Sequence, residues 1–476
     1  MSSYFIKGEG HQGYPRRAYA RIDEIEPLNF EAVELISISL DAVDADWHGF
    51  RADHLLSLTD AETGSKRLAK YWEYLFIKGS PPISQEFPDD PFEELPLYQI
   101  EITLPRGHDW LDILIRETGW LEISLAEDGG VAVDVFGGLF SEPVVARLVS
   151  ISISTASTAL NAVFDMQSWP DASEWELERA LNFRCDVTQL HMLDVGQGAA
   201  AALICRCGVP ICYFDAGCGV YRNTKTNPSP IQFCVCDAPP VILSHWDSDH
   251  WAGANLDQDL LKRIWIAPRQ TVGAKHIAFA NRILSAGGRI LIVPQAFSGT
   301  FWAEQQKLKL QQCKGVSTDR NGSGLVLIVE DQNTGRGWLL TGDAPYNLIP
   351  GPLPSDLAAV VVPHHGADMG LGSKPPLCSQ HAYSRLLYSF GPGNAHGKTN
   401  VRHPTAAAVS AHSASGWGHG AWLPPPPGRG LAGHPVLATA SHPHSHHGGI
   451  AVGWTSAPPT AAHLASCGKA MQVTQT

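Results

Sequence analysis

The sequence predicts an α/β protein of two domains, and three observations support this class. At 476 residues, the chain is too long for one ordinary core. Charged residues make up 17% of it and hydrophobic residues 44%, a balance typical of globular rather than disordered proteins. In the second half, short apolar runs alternate with helix-like stretches, which is the pattern of buried strands in a layered α/β fold.

Residues 1–186 predict a smaller, acidic α+β domain. Residues 1–190 hold 14 Lys and Arg against 33 Asp and Glu, a net charge of −19, whereas the rest of the chain holds 20 and 14, a net charge of +6. No motif with evident chemistry occurs in this part, so we expect it to bind a protein partner or to inhibit the second domain. Its predicted strands are Val33–Leu40, Tyr98–Leu104, Trp120–Leu125, Val131–Phe136 and Val145–Ser154.

Two further segments of the first part predict a helix and a loop, and a third is considered as a membrane span. Asp171–Asn182 predicts a capped amphipathic helix leading to the second domain, and the acidic, Pro-rich run Pro81–Pro96 predicts a loop. The apolar stretch Val144–Phe164 contains Arg147 and alternates like strands, so we do not expect it to cross a membrane. The first residues lack an apolar segment, and the sequence therefore predicts a cytoplasmic protein without membrane contact.

Residues 187–476 form the second predicted domain, in which five apolar runs each lead into an acid or a His. Sites in layered α/β folds form just beyond strand ends, so we expect these side chains to share one edge. The Pro-, Gly- and His-rich part from Ala406 to Thr476 predicts a surface insertion and tail, in which Gly448–Trp454 can supply a last strand. The runs QLHML, ICYF, PPVILS, GWLLTG and LAAVVVP lead to Asp194, Asp215, His245, Asp343 and His364.

The stretch SHWDSDHWAG carries four groups that can bind a cation within six positions. Its H-x-D-x-D-H spacing lets His245 and Asp247 hold one cation while Asp249 and His250 hold a neighbouring one. Two cations roughly 3.5–4 Å apart can bridge a hydroxide and clamp a phosphoryl oxygen. The alternative is that these side chains only cap turns, which is the usual role of an isolated Asp after a strand.

Two later motifs favour the metal interpretation. Asp343 in LLTGD can supply a bridging carboxylate, and His364 or His365 in VVPHHG can complete the ligand set. Imidazole and carboxylate ligands suit Zn, Mn or Fe, and the oxygen-rich set here favours Mn over Zn. We therefore predict two divalent metal ions, Zn or Mn, as cofactors.

Several nearby residues allow two interpretations. Trp246 and Trp251 can pack in the core or stack on a base. Gln197 can contact substrate, and Asp194 and Asp215 are better placed to support ligands than to bind metal. The crowded cysteines favour buried reduced thiols over a zinc knuckle, which more often has C-x-x-C spacing; they are Cys205, Cys207, Cys212, Cys218, Cys234 and Cys236.

The ordered motifs over about residues 187–410 resemble the metallo-β-lactamase superfamily. The closer resemblance is to the soluble metallo-β-lactamase-like domain of ComEC-type competence proteins and their stand-alone relatives, in which Asp also replaces the second His of the loop. Residues 1–186 are not covered. The motifs are HMLDVGQG (His191–Gly198), YFDAG (Tyr213–Gly217), SHWDSDHWAG, NGSGLVLIVE (Asn321–Glu330), LLTGD, VVVPHHGAD (Val360–Asp368), SFGPGNAHG (Ser389–Gly397) and RHP (Arg402–Pro404).

The resemblance implies a four-layer αββα sandwich with a metal site at one edge. It also implies metal-dependent hydrolysis, in this branch of phosphodiesters such as nucleic acid, through a metal-bound hydroxide that Asp249 orients. His396 and His403 compete for the late His of the family pattern, which is a metal ligand or a phosphate contact and which we expect to protonate the leaving oxygen or hold the phosphate. The implied metal ligands are His245, Asp247, Asp249, His250, Asp343 and one of His364 and His365.

Two other functions stay open at this stage. One is hydrolysis of a small substrate, such as a cyclic nucleotide or a lactone, for which a deep closed pocket would be expected. The other is a non-catalytic sensor module that binds metal, which the complete set of acids and His residues disfavours. The His-rich tail motif SHPHSHHGG is a weaker metal candidate, in which His442, His444, His446 and His447 are the available ligands.

Overall fold

A computed structural model describes residues 2–30, 33–78, 90–116, 119–370, 372–379, 381–396, 401–419, 435–458 and 473–475. Residues 81–89 of the predicted acidic loop and residues 420–434 and 459–472 of the tail lie outside the described residues. The chain divides into two compact units. The first comprises Met1–Pro170, Thr271–Arg289 and Ala395–Val401, and the second comprises Asp171–Gln270, Ile290–Asn394 and Arg402–Thr476.

The α-helices of the described residues are few and mostly short. The predicted helix at Asp171–Asn182 is confirmed as α4, and Ser173 and Glu176 form a reciprocal capping box at its start. The helices are α1 Ala61–Lys78, α2 Leu111–Arg116, α3 Ser157–Val163, α4 Glu174–Leu181, α5 Ala274–Ser285 and α6 Ala406–Ala414. None of the described helices combines the length and the apolar composition needed to cross a bilayer.

The first unit is built on a closed antiparallel sheet with strand order β1-β2-β3-β5-β6-β4. All five predicted strands are confirmed, but the sequence analysis missed β1, because charged residues interrupt its apolar positions. Alternating burial along β4 places one face of the strand in the unit's core. The strands are β1 Arg17–Phe30, β2 Val33–Asp44, β3 Leu97–Pro105, β4 Leu121–Ala126, β5 Val131–Phe136 and β6 Val144–Ile153.

Helix α5 belongs to the first unit, although its sequence lies far beyond the predicted domain boundary at residues 186/187. Lys275 at its start is fully buried, and its ammonium group forms an ion pair with Asp23 and donates to Oε1 of Gln99 at 2.9 Å. Farther along the helix, Asn281 accepts a hydrogen bond from Tyr71 at 2.8 Å. These buried polar contacts explain why the helix groups with the closed sheet, which the local pattern of its sequence did not reveal.

The second unit contains two mixed sheets, in agreement with the predicted α/β class. The strand order is β12-β11-β10-β9-β8-β7-β22-β23 in the first sheet and β13-β14-β15-β16-β17-β18-β19 in the second. The strands of the first sheet are β7 Val187–Met192, β8 Ala200–Cys205, β9 Pro210–Ala216, β10 Val241–Ile242, β11 Ile264–Pro268, β12 Arg289–Val293, β22 Gly449–Val452 and β23 Val473–Gln475. Strand β22 confirms the strand predicted within Gly448–Trp454, although β23 follows it in the chain.

The second sheet and a small β-ribbon complete this unit. The strands of the second sheet are β13 Ser298–Ala303, β14 Gln306–Gln312, β15 Leu325–Asp331, β16 Arg336–Leu340, β17 Leu357–Val361, β18 Arg385–Tyr388 and β19 Val436–Ala438, and the ribbon is β20 Ala440–Ser441 with β21 Ser445–His446. One core cluster contains side chains from both sheets, for example Leu190 and Phe214 with Leu327 and Leu340. The two sheets therefore pack face to face.

The cysteines depart from the expected reduced thiols at one place. Cys205 and Cys207 form a disulfide, while Cys212, Cys218 and Cys234 are buried outside it. The prediction was wrong for this pair because Cys205 ends β8 and Cys207 lies in the following turn, so their side chains meet across a single residue.

Candidate metal centre

The candidate ligands lie on loops that follow strands of both sheets. His245 follows β10, which pairs in parallel with β9 and β11. Asp343 follows β16 and the His364–His365 pair follows β17, and these two strands are parallel neighbours in the second sheet. The backbone oxygen of Ser244 accepts a hydrogen bond from the amide of Leu325 at 2.6 Å, so the two edges are joined beside the site.

Gly342 allows the loop before Asp343 to approach the loop of His245 closely. Its φ of +54° lies in the left-handed region, and a Cβ added there would lie 2.6 Å from Oγ of Ser244. Only glycine satisfies both conditions without displacing Ser244. In LLTGD, Gly342 therefore allows its loop to lie against Ser244, and Asp343 places its carboxylate among the candidate ligands.

Two overlapping groups of potential ligand atoms form the cluster. In each group the ligand atoms lie within 4.8 Å of one another. The first group is His245, His250 and Asp343, all buried, and the second is Asp249, His250 and His365. Because His250 belongs to both groups, the candidate sites are adjacent, and a pair of neighbouring cations fits this donor arrangement.

The carboxylate of Asp343 points its two oxygens toward different imidazoles. Oδ1 lies 3.1 Å from Nε2 of His250, and Oδ2 lies 3.8 Å from Nε2 of His245. Oδ2 is also 3.7 Å from Nε2 of His364. The side chain is almost fully buried at the centre of the cluster. This is the position from which one carboxylate can serve two metal ions.

Hydrogen bonds on the far side of two imidazoles fix which nitrogen faces the cluster. Nδ1 of His250 donates to Oδ2 of Asp215 at 2.9 Å. The hydroxyl of Ser244 donates to the same oxygen at 2.8 Å, so Ser244 Oγ can only accept from Nδ1 of His245, at 2.9 Å. With Nδ1 engaged, each imidazole turns its Nε2 into the cluster, where Nε2 of His250 lies 3.1 Å from Oδ1 of Asp343 and Nε2 of His245 lies 3.1 Å from Oδ2 of Asp247. Nε2 is therefore the atom that each ring offers to a metal ion.

His365 also directs Nδ1 away from the cluster and Nε2 into it, where Nε2 meets a carboxylate oxygen. Its Nδ1 donates to the backbone oxygen of Ser389 at 2.9 Å, and its Nε2 lies 2.9 Å from Oδ2 of Asp249. A neutral His365 would therefore direct a nitrogen lone pair at a carboxylate oxygen. The arrangement is stable only with positive charge between the groups, supplied by a second proton on the imidazole or by a cation. The residues present thus fit a metal ion.

The same competition between burial and charge governs the pKa values of this cluster. Burial would raise the pKa of Asp343, but the positive charges of His250 and His364 hold it well below its ordinary value. Burial would also raise the pKa of Asp249, but the charge of His250 together with the hydrogen bond and charge of His365 lowers it. Conversely, burial would lower the pKa of His250, yet the carboxylates around it raise the pKa well above the ordinary value. The cluster therefore strongly attracts positive charge.

Arg320 is a site residue that the sequence analysis missed. Its guanidinium forms an ion pair with Oδ1 of Asp247, while Oδ2 of Asp247 lies 3.1 Å from Nε2 of His245. Burial would raise the pKa of Asp247, but Arg320 and then His245 hold it well below its ordinary value. Gln270 donates to the backbone oxygen of Arg320 at 2.6 Å and fixes that loop. Arg320 directly precedes the motif Asn321–Glu330, but no local pattern links it to Asp247, so only the folded structure reveals the contact.

The two candidates for the late His have different contacts. The ring of His403 is fully buried, and its centroid lies 5.4 Å from that of His364. Asn394 holds the backbone of His403 in place, since it accepts from its amide at 2.9 Å and donates to its carbonyl at 2.7 Å. His396 instead belongs to the first unit and forms an ion pair with Glu26 there at 3.0 Å.

Burial and hydrogen bonds show the roles of the two tryptophans, Gln197 and Asp215 near the cluster. Trp246 and Trp251 are almost fully buried, and their indole nitrogens donate to backbone oxygens at 2.9 Å and 2.8 Å, so they pack in the core and the base-stacking interpretation is wrong. Gln197 is buried and its Oε1 accepts from the amide of Gly391, which ties the DVGQG loop to the loop after β18. Asp215 accepts from Ser244 and His250.

The His-rich tail is not gathered into a metal cluster among the described residues. His446 forms an ion pair with Asp194 at 2.9 Å, and Nε2 of His442 lies 2.9 Å from the backbone oxygen of His403. Neither belongs to a described group of three potential ligands. Asp194 accordingly pairs with the tail and does not contribute to the two groups around His250.

Comparisons with known proteins add little to this geometry. No family model matches the chain, and no curated protein matches its sequence. A solved structure that resembles it in part is CmlA, a diiron β-hydroxylase from Streptomyces venezuelae, with 12% identity and a TM-score of 0.23. The similarity covers 59% of this chain and 46% of that one, so the chain spans about half the length of CmlA. So slight a likeness supports no inference about this chain.

Proposed function

We propose that this protein is a metal-dependent hydrolase of the metallo-β-lactamase superfamily that cleaves phosphodiesters, with nucleic acid as the substrate class. The four-layer αββα order belongs to the same proposal, with the two packed sheets as its inner layers. The observation that carries the proposal is the convergence of Nε2 of His245, His250 and His365 on the carboxylates of the cluster, with each Nδ1 engaged elsewhere. Such a cluster needs bound positive charge.

Seven side chains would hold two divalent ions, Zn or Mn. His245, Asp247 and Asp343 line one side of the cluster, and Asp249, His250 and His365 line the other, with His364 3.7 Å from Asp343. Bound ions of this kind lower the pKa of water and neutralise charge that develops on a phosphoryl group. The oxygen-rich ligand set favours Mn over Zn.

The remaining residues have positioning and proton-transfer roles in this proposal. Asp215 and Ser389 fix the tautomers of His250 and His365. Asp249, partly exposed next to His365, orients the attacking water. His403, beside His364, protonates the leaving oxygen or holds the phosphate, and the ion pair of His396 with Glu26 in the other unit makes it the weaker candidate for this role.

We assign phosphodiesters as the substrate class because of the net charge of the second part of the chain and the order of its motifs. The chain beyond residue 190 has a net charge of +6, which favours anionic substrates. The acidic first part, with a net charge of −19 over residues 1–190, is suited to a basic protein partner rather than to nucleic acid.

The test is an activity panel with full-length protein, purified without metal and then loaded with Mn or Zn. The panel contains single-stranded DNA, duplex DNA, RNA, a cyclic nucleotide, a lactone and a β-lactam. We expect Mn-stimulated cleavage of a nucleic acid that chelation abolishes. Asp343→Asn is the inactive variant, because it keeps the side-chain volume but removes the negative charge and one of the two oxygen ligands of the central side chain. Asp331→Asn, on β15 of the same unit, is the matched control.

Four outcomes would overturn the proposal. Hydrolysis of the lactone or β-lactam with every phosphodiester intact would assign a small substrate, and cleavage of the cyclic nucleotide alone would do the same. Failure of elemental analysis to find Mn or Zn after reconstitution would remove the metal centre altogether. Metal binding without any hydrolysis would favour the sensor module.

A further inference from the structure

A second cluster of reactive side chains lies at the start of the second unit, outside the metal centre. Sulfur atoms of Cys185, Cys205 and Cys207 lie within 4.8 Å of one another. Cys205 and Cys207 form a disulfide, while Cys185 is half-buried beside it and is not bonded to either. A thiol within reach of a disulfide is the minimum requirement for thiol–disulfide exchange.

The strand register explains why the three sulfur atoms meet. Strands β7 and β8 are antiparallel with Val187 opposite Cys205, and the amide of Arg206 donates to the backbone oxygen of Asp186 at 3.0 Å. Cys185 lies just before β7 and Cys207 lies in the turn after β8, so the pairing of the two strands brings the three sulfur atoms within 4.8 Å of one another.

A side-chain ion pair also holds the segment before β7 beside the turn after β8. The guanidinium of Arg206, between the two bonded cysteines, forms an ion pair with the carboxylate of Asp186, the residue after Cys185. The amide of Gly208 donates to the backbone oxygen of Cys205 at 2.7 Å and closes the turn. The segment before β7 is therefore held beside the turn that carries the disulfide.

The existing disulfide has the features of a reactive rather than a structural bond. Its two cysteines are separated by one residue, and a disulfide stabilises a fold less as the loop it closes becomes shorter. Cys205 is buried, but Cys207 is exposed and can be reached by a small thiol. Exposed disulfides are the ones that exchange most readily.

We propose that Cys185, Cys205 and Cys207 form a thiol–disulfide exchange site that reacts with low-molecular-weight thiols and disulfides. The thiolate of Cys185 attacks the sulfur of Cys207, a Cys185–Cys207 bond forms and the Cys205–Cys207 bond breaks. The electron pair of the broken bond leaves on the sulfur of Cys205, which takes a proton from solvent, so this step involves no net oxidation. Two molecules of a small thiol convert either disulfide to two cysteine thiols and are themselves oxidised to one disulfide.

The test maps disulfides in the full-length protein after equilibration in mixtures of reduced and oxidised glutathione. The reaction is stopped with acid, thiols are alkylated, and peptides are identified by mass spectrometry. We expect the unaltered protein to contain both Cys205–Cys207 and Cys185–Cys207. Cys185→Ser should lose the second species and keep the first, and Cys205→Ser should form Cys185–Cys207 as its disulfide. Cys378→Ser, a half-buried cysteine elsewhere in this unit, is the matched control and should behave as the unaltered protein does.

Two results would overturn the proposal. One is a single disulfide, Cys205–Cys207, in the unaltered protein at every glutathione ratio. The other is a folded Cys205→Ser variant in which Cys185 and Cys207 stay as thiols or glutathione adducts, because this would show that the two sulfur atoms do not bond. Since Cys205 is buried, circular dichroism must first confirm that this variant folds. The mapping of the unaltered protein tests the proposal independently of it.

Discussion

The guanidinium of Arg320 forms an ion pair with the carboxylate of Asp247, whose other oxygen faces Nε2 of His245. Both partners are largely buried, with side-chain exposures of 7% and 17%. Asp247 therefore balances its charge against a protein cation on one side and turns toward the candidate metal site on the other. A metal ion at His245 would share this carboxylate with Arg320.

Replacing Arg320 with Met should destabilise the metal-free protein more than the metal-loaded protein. Removal of one partner of a buried ion pair leaves an uncompensated charge, and we expect the free energy of unfolding to fall by roughly 3 kcal/mol. A bound cation supplies positive charge near Asp247, so Mn should recover part of this loss. Denaturant unfolding with and without Mn measures both values.

The control for this substitution is Arg106→Met in the first unit. Arg106 pairs with Glu34, but both side chains are more than half exposed, and such pairs contribute about 0–1 kcal/mol. An equal loss for the two variants, or no recovery with Mn, would show that Arg320 does not balance charge at the metal centre.

Metal binding should release protons near neutral pH. The carboxylates around His250 raise its pKa well above the ordinary value, so the metal-free protein holds this imidazole protonated at pH 7. A metal ion needs the lone pair of Nε2, and its binding therefore displaces about one proton from this residue. Affinity should rise with pH until the raised pKa is passed. Titration calorimetry in two buffers with different ionisation enthalpies counts the protons, and equal heats in both buffers would contradict the prediction.

The pH dependence of the unfolding free energy of the metal-free protein should also report the raised pKa of His250. A raised pKa in the folded state means that His250 contributes stability that is fully present below its unfolded pKa of about 6.5. This contribution is lost as pH rises through the folded pKa. The metal-loaded protein should not show the loss from this residue, because the ion takes the place of the proton.

Gly342→Ala should disrupt the metal centre through the loop of Ser244. The added methyl group would lie 2.6 Å from Oγ of Ser244, in addition to the strain of a φ of +54°. We expect a loss of about 1–3 kcal/mol from the contact alone, together with weaker Mn binding. Gly335→Ala is the matched control, since its φ is +69° and no atom lies within 4 Å of the added carbon. Equal stability and Mn affinity of the two variants would show that the close approach is unimportant.

Short-range patterns were sufficient to predict much of the second unit. The apolar runs predicted β9, β10, β16 and β17. Of the four polar side chains within Ser244–Gly253, His245, Asp249 and His250 belong to the two groups of potential ligands, and Asp247 lies 3.1 Å from His245. Such signals lie within ten residues and depend on local periodicity and strand-end position. The gathering of Asp343 and His365 with this loop followed from the expectation that strand ends share an edge.

Long-range contacts were beyond the sequence patterns. Arg320 lies 73 positions from Asp247, directly before the motif Asn321–Glu330, and nothing in that motif points to the contact. The assignment of α5 to the first unit depends on Lys275, whose partner Asp23 lies 252 positions away. Strand β1 was missed because Arg21, Asp23 and Glu24 interrupt its apolar positions, and in the closed sheet its neighbours β2 and β4 decide the strand conformation.

His403, and not His396, should affect turnover of the phosphodiester substrate. His403 is fully buried next to His364, whereas His396 pairs with Glu26 in the first unit. We expect His403→Gln to lower kcat by about 10²–10⁴, the usual contribution of a general acid, while Mn content stays unchanged. His396→Gln should leave kcat near that of the unaltered protein and cost only the stability of one ion pair.

Because His403 is buried, circular dichroism and thermal unfolding must first show that the His403→Gln variant folds. A substrate with a better leaving group should restore much of the lost rate if His403 protonates the leaving oxygen. Equal loss of kcat with both leaving groups would instead assign His403 to holding the phosphate, and a larger effect of His396→Gln would reverse the assignment of the two residues.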